Sequence, residues 1–189
     1  MTGRKIFTSF SIVLFAIALS WFLEDPINDS LSGSISRNDP DLYMLNAQIK
    51  RYSKDGSLDF QLSADRFTHF PLTNLTTLVV PNLILLSKGP TPWEIKAEQG
   101  RLMSKSPFRK EIIELWSNVS ALQEGPNGQF INIETNSLVV FPNKNYAETN
   151  AKVYLSNNNT STTAAGLRAN FELGTFILLS NESNRVKTT

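Results

Sequence analysis

Two patterns of apolar residues divide this chain. The first is a continuous apolar run, residues 6–23, that contains no charged side chain. After residue 40 apolar and polar residues alternate instead, most clearly across residues 58–65. A period of two is typical of strands with one face buried and one face in water. The sequence therefore predicts one helix followed by an all-β domain.

The apolar run is long enough to cross a membrane. About 18 residues, each rising about 1.5 Å, give a helix of roughly 27 Å, close to the thickness of a bilayer. Arg4 and Lys5 precede the run, so residues 1–5 are expected in the cytoplasm and the rest of the chain outside it. A cleavable signal peptide is the alternative, because Ala16 to Ala18 form an A-x-A-like site. Both interpretations export the domain.

Residues 24–40 are rich in Ser, Asn, Asp and Pro and lack apolar periodicity, which predicts a flexible linker. The β domain is expected to span residues 41–189. Turn signals separate its alternating runs, for example Asp55 with Gly56 and the stretch Gly125 to Gly128. The runs themselves are residues 43–49, 58–64, 93–97, 113–119, 131–135 and 147–155.

Composition excludes several functions. The net charge is +1 with mixed signs, so no basic stripe is available to neutralise the phosphates of a nucleic acid. The chain has no cysteine, which excludes disulfides, thiolate metal sites and a cysteine nucleophile. We expect no metal and no other cofactor. At 189 residues, the chain is long enough for one domain with a sizeable core.

Catalytic chemistry has little support in the sequence. The chain has a single histidine, His69, which is too few for a histidine zinc site and would carry any Ser-His-Asp triad alone. Carboxylate pairs such as Asp59 with Asp65, or Glu111 with Glu114, have no distinguishing spacing. The first pair alternates with apolar residues and is expected on a solvated face. We therefore expect that the protein is not an enzyme.

The apolar residues of the strands allow two interpretations. They could form the filled core of a β-sandwich, or they could line an apolar lumen able to hold lipid chains, each methylene contributing about 0.8 kcal/mol. Periodicity alone does not distinguish the two.

Several short motifs, taken in order, resemble the LptC family of lipopolysaccharide export. They are the N-terminal anchor, Asn38 to Pro40, the strand-turn-strand around Asp55 to Leu58, the segment Pro92 to Ala97, and Gly166 to Asn170 followed by residues 178–181. The resemblance spans nearly the whole chain.

The resemblance implies an open, twisted β-jellyroll, also called a β-taco or OstA-like fold, of antiparallel strands behind a single transmembrane helix. It implies a single-pass protein of the inner membrane with its C-terminal domain in the periplasm. Its partners would be lipopolysaccharide, the transporter subunits LptB, LptF and LptG, and the periplasmic bridge protein LptA. Its function would be to relay lipopolysaccharide from the transporter to LptA.

By motif position, the family's lipopolysaccharide contacts fall on Ala47 and Leu78. In the alternating pattern Ala47 shares a face with Leu45 and Ile49, and Leu78 shares a face with Val80. Further apolar strand residues are candidates for the lining of the same lumen. They are Phe60, Leu62, Trp93, Ile95, Ile113, Leu115, Ile133, Val140, Leu167, Phe171 and Leu178.

The two ends of an open jellyroll leave edge strands that can pair with another protein. On the transporter side we expect the strand carrying Tyr43, Leu45 and Ile49. On the LptA side we expect the strand carrying Phe176, Leu178 and Val186. Gly56 is interpreted as a turn residue and Gly166 as a strand-entry or close-packing position. The alternative to lipid transfer is an anchored structural or interaction module with a filled core and no lipid ligand.

Overall fold

A computed structural model describes residues 39–86, 91–180 and 187–188 of the chain. These residues form one 14-stranded sheet in which every pairing between strands is antiparallel. The strands are β1 (Leu42–Tyr52), β2 (Leu58–Phe70), β3 (Leu75–Val79), β4 (Asn82–Leu85), β5 (Trp93–Lys96), β6 (Gln99–Met103), β7 (Ile112–Glu124), β8 (Phe130–Phe141), β9 (Tyr146–Thr149), β10 (Val153–Asn157), β11 (Ser161–Ala164), β12 (Gly166–Asn170), β13 (Thr175–Leu179) and β14 (Lys187–Thr188). The all-β prediction is confirmed.

The strands follow one another as an up-and-down meander. β1, β2, β7 and β8 are long and continuous, whereas the short strands join in pairs that act as one interrupted strand. β3 and β4 together pair with β2, and β6 and β5 together pair with β7. On the far side of β8, β9 and β10 lie end to end, followed by β12 and β11.

A crease crosses the middle of every long strand and divides the sheet into two halves. Half-sheet I contains β3, β6, β9, β12 and β13, and half-sheet II contains β4, β5, β10, β11 and β14. The long strands contribute one end to each half. Residues in left-handed backbone conformations mark the crease: Asn46 (φ 48°), Val80 (φ 50°), Ser117 (φ 63°) and Asn118 (φ 54°). The last two form a bulge in β7 opposite β8.

The side of the sheet that faces inward changes phase at the crease. Within one half, buried residues alternate, as Phe60 and Leu62 do in β2. Across the crease, consecutive buried residues are three positions apart: Ala64 and Phe67, Leu78 and Pro81, Ala97 and Gly100, and Thr135 and Leu138. This slip lets both halves present apolar side chains to one interior. The halves therefore fold towards each other.

The helix expected at residues 6–23 lies outside the described residues, as does the linker expected at 24–40 except for its last two residues. Within the part of the chain that the structure describes, no helix is long and apolar enough to span a membrane. Residues 38–189 cluster as one compact unit. At the β1–β2 turn Gly56 has φ 86°, as its interpretation as a turn residue requires.

Candidate functional site

The predicted lumen residues all lie on the inner faces of the two half-sheets. Leu78, Ile113, Leu115, Val140 and Leu167 come from half-sheet I, and Phe171 directly follows β12 of that half. Phe60, Leu62, Trp93, Ile95 and Ile133 come from half-sheet II, and all these residues belong to one buried hydrophobic cluster. Ala47 and Leu178 are partly buried and pack against this cluster. The structure thus brings the whole candidate set together in one apolar interior.

Two expectations about which residues share a face are wrong. Leu45 is 70% exposed, whereas Ala47 and Ile49 pack inward. Leu78 is buried and Val80 is 51% exposed. In both places a residue with positive φ lies at the crease, Asn46 in β1 and Val80 after β3, and it shifts the inward face by one position. Strict alternation holds only within one half-sheet.

The interior stays incompletely covered at both ends of the sheet. At the first end Met44, Ala47 and Ile49 of β1 face inward but are only partly buried. At the other end Phe176 and Leu178 of β13 do the same. Among the described residues, β1 pairs only with β2 and β13 pairs only with β12. The predicted edge strands thus lie at the two ends; Val186 lies outside the described residues.

The side opposite the crease consists of hairpin turns. Rim I, at the margin of half-sheet I, comprises residues 71–74, 104–111, 142–145 and 171–174. Rim II, at the margin of half-sheet II, comprises residues 53–57, 86, 91–92, 125–129 and 157–160. Trp93 of half-sheet II packs on Phe171, with ring centroids 4.7 Å apart, and on Phe176, at 5.8 Å. The two halves therefore contact each other here and the interior between them is filled.

A second contact joins the halves near the first end. The Arg51 guanidinium donates from Nη2 to Oε2 of Glu111 at 2.5 Å. Arg51 lies at the end of β1 beside rim II, and Glu111 directly precedes β7 at rim I. The Glu111 side chain is 2% exposed. Burial raises the pKa of the Glu111 carboxyl, although the charge and hydrogen bond of Arg51 act in the opposite direction.

The carboxylate pair Glu111 and Glu114 is split between the two faces of the sheet. Glu111 faces the interior, whereas Glu114 lies in an outward position of β7 and accepts a hydrogen bond from Arg101 Nε. Asp59 accepts a hydrogen bond from the Ser53 hydroxyl. In the described ranges no group of three or more His, Asp or Glu side chains is placed to hold a metal ion.

His69 has a structural position at the start of the domain. Its Nδ1 lies 2.7 Å from Oδ1 of Asp41, and its Nε2 lies 3.4 Å from Oδ1 of Asn74. The hydrogen bond to Asp41 is the main reason that the pKa of His69 is raised. The ring therefore connects the segment before β1 to the turn after β2.

Sequence reasoning missed many residues of the same interior. They include Ala64, Phe67, Leu83, Leu85, Leu102, Val119, Ala121, Leu138, Ala147, Val153 and Ala169. Most of them carry the same period-two signal within their own strand. The contact between Arg51 and Glu111 had no sequence signal, because sixty positions separate the two residues.

Comparison with known proteins agrees with this architecture. A family model described as LptC: Lipopolysaccharide-assembly, LptC-related matches residues 10–187. No curated protein matches the sequence. Among solved structures the chain is similar to LptH of Pseudomonas aeruginosa, described as the LptA homologous periplasmic component of a lipopolysaccharide transport device. The two chains are 7% identical and superpose with a TM-score of 0.55. The match covers 69% of this chain and 93% of LptH. At this identity the likeness concerns the fold alone.

Proposed function

Because the chain belongs to the LptC-related family of lipopolysaccharide-assembly proteins, we propose that it binds lipopolysaccharide between its half-sheets and relays it from the inner-membrane ABC transporter to LptA. Family membership gives the chain a role in lipopolysaccharide transport, which is not an enzymatic activity. Proteins of this family are anchored in the inner membrane and extend into the periplasm. In our proposal residues 6–23 are that anchor, residues 1–5 lie in the cytoplasm, and residues 41–189 form the periplasmic domain.

One observation carries the proposal: the apolar interior continues from β1 to β13 and reaches both ends of the sheet. Met44 and Ile49 lie at one end, Phe176 and Leu178 at the other, and buried apolar side chains fill the space between. A closed sandwich core would be covered at its ends, since exposed apolar edges favour association. An interior open at its ends can instead continue into the interior of a partner.

Acyl chains need space that the packed interior does not offer. Because close-packed side chains leave few voids, lipid must separate the half-sheets where they contact each other, at Trp93 with Phe171 and at Arg51 with Glu111. Each methylene that leaves water contributes about 0.8 kcal/mol, so a chain of about ten methylenes offsets the loss of these contacts. The crease holds the halves together on the opposite side.

The edge strands β1 and β13 can pair with partner proteins at the two ends of the sheet. Unpaired backbone groups at a sheet edge can accept a strand of another protein. We propose that β1, with Tyr43, Leu45 and Ile49, pairs with the LptF and LptG side of the transporter. We propose that β13, with Phe176 and Leu178, and the following segment with Val186 pair with LptA.

Photocrosslinking tests the lipid site. A photoreactive side chain at Leu78, which is buried in the interior, should crosslink to lipopolysaccharide in cells. The control is Glu94, an outward residue of β5 that is bonded to Lys96 at 2.9 Å and to Asn82 at 2.8 Å. Labelling at Glu94 without labelling at Leu78 would contradict the proposal.

Truncation tests the edge pairing. A chain ending after Gly174 lacks β13 and should still copurify with the transporter subunits, because β1 is intact. It should no longer pull down LptA. Retained LptA binding would show that the partner uses another surface.

The filled interior also favours a second candidate, an anchored structural module without a lipid ligand. The observation behind it is the packing of Trp93, which is fully buried. The Leu78 crosslink separates the two candidates, because a module with a permanent core gives no lipid adduct there.

A further inference from the structure

The ion pair between Arg51 and Glu111 closes the sheet on itself. In the sheet β1 is separated from β7 by β2 and by the strands β3 to β6. A direct bond from Arg51 to Glu111 therefore bridges the two rims across the open side, next to the uncovered end at β1. Separation of the half-sheets at this end requires that this bond breaks.

The two partners differ in their surroundings. The Arg51 side chain is 49% exposed, whereas the Glu111 side chain is 2% exposed. Oε1 of Glu111 is buried and has no hydrogen-bond partner. Asp59 and Lys105 are the other charged groups that act on this carboxyl. The pair thus joins a half-exposed guanidinium on a long, flexible side chain to a buried carboxylate that has one oxygen without a hydrogen bond.

We propose that Arg51 and Glu111 form a releasable clasp at the β1 end of the open side, and that Arg51 moves from Glu111 to an anionic phosphate of the lipid head group when acyl chains separate the rims. This inference rests on the proposed function and names the head-group contact of the same site. The phosphate would remain at the rim, where water reaches it, and the acyl chains would lie below it against Ile49 and Phe60.

The exchange of Glu111 for a phosphate as the partner of Arg51 is physically reasonable for both residues. A guanidinium binds phosphate with two parallel hydrogen bonds, as it binds a carboxylate, so Arg51 loses no hydrogen bonding. Glu111 loses its cation in a buried place, and burial disfavours its charged form. It can take up a proton from solvent when the rims part, which leaves no unpaired charge inside.

Paired variants of the full-length protein test the clasp by lipopolysaccharide affinity. Arg51→Gln removes both the clasp and the phosphate contact, whereas Glu111→Gln removes only the clasp. We expect Arg51→Gln to bind lipopolysaccharide about tenfold more weakly than Glu111→Gln, because hydrogen bonds to charged groups are strong. With enzymatically dephosphorylated lipopolysaccharide the difference should disappear. A difference below about threefold, or one that survives dephosphorylation, overturns the proposal.

A matched pair on the outer face controls for net charge. Arg101 and Glu114 form an ion pair on the outward side of the same sheet, so Arg101→Gln and Glu114→Gln change the charge in the same way without touching the interior. We expect less than a threefold difference between them. A difference as large as that at the clasp would show that general charge attraction explains the result.

Rim separation is measured with spin labels, which the absence of native cysteine makes simple. Labels at Lys54→Cys on rim II and Lys110→Cys on rim I should move apart by several ångströms when lipopolysaccharide is added, and inorganic phosphate alone should not move them. Labels at Asn127→Cys and Asn159→Cys, both on rim II, should keep their distance. Unchanged rims together with a positive Leu78 crosslink overturn the clasp alone, whereas loss of the Leu78 crosslink overturns the proposed function.

Discussion

Ala64 and Phe67 lie three positions apart in β2, and both side chains are buried in the same interior. A flat strand would place them on opposite faces. Asp65 and Arg66 between them are exposed, which marks the point where the strand bends through the crease. The same spacing recurs in the neighbouring strands, so the crease is a line of coordinated slips in the strand pattern.

Val80 is expected to weaken the fold at this line. A β-branched residue with φ 50° adopts a conformation that costs about 1–2 kcal/mol. Val80→Asn should therefore raise the free energy of unfolding by about 1 kcal/mol, since asparagine tolerates this region. Urea unfolding of the full-length protein measures the effect. The neighbouring Val79→Asn, within β3, should instead lower stability, because asparagine is unfavourable in a strand.

Gly166 is required for close packing beside the crease. A Cβ at this position would lie 2.7 Å from the carbonyl oxygen of Thr149 and 3.0 Å from Leu179 Cδ1. Gly166→Ala should lower the free energy of unfolding by about 1–3 kcal/mol, as overpacking does. Gly125→Ala is the control, because its nearest neighbour would be 3.6 Å away. Equal stability of the two variants in urea would show that the sheet yields at Gly166.

Trp93 connects the half-sheets, and two substitutions separate its contributions. Trp93→Ala removes the ring contacts with Phe171 and Phe176 and should cost about 3–5 kcal/mol. Trp93→Phe should cost less than about 2 kcal/mol, because the buried indole Nε1 has no hydrogen-bond partner to lose. Thermal and urea unfolding measure both. Equal losses in the phenylalanine and alanine variants would contradict the view that ring packing, and not a polar contact of the indole, carries this contribution.

His69 should make stability depend on pH. Its pKa in the folded state is raised above the ordinary value of 6.5, mainly by the hydrogen bond to Asp41 and also by Asn74. The folded state binds the proton more tightly, so the contribution is complete below pH 6.5 and is lost as pH rises through the raised pKa. The stability difference between the wild type and His69→Gln should shrink accordingly in urea titrations at increasing pH. Asp41→Asn should abolish most of this dependence, and a difference constant with pH would contradict the assignment.

The alternating pattern was sufficient to identify most inward residues within each half-sheet. The pattern predicts that Phe60 and Leu62, or Trp93 and Ile95, share a face, because neighbouring side chains in a strand point to opposite sides. The same rule failed for Leu45 with Ala47 and for Leu78 with Val80, because it assumes a straight strand. A slip of one position depends on the backbone angle of a single residue, and that angle is set by packing across the crease.

The sequence by itself determined the all-β class, the turns, the polar outer faces, and the family to which the motifs belong. These properties depend on neighbours along the chain, where side-chain chemistry and strand period act directly. The tertiary structure decided which faces meet, that Trp93 packs on Phe171, and that Arg51 reaches Glu111. Those contacts exist only because the sheet folds on itself, and no local pattern encodes the distance between residues that the fold brings together.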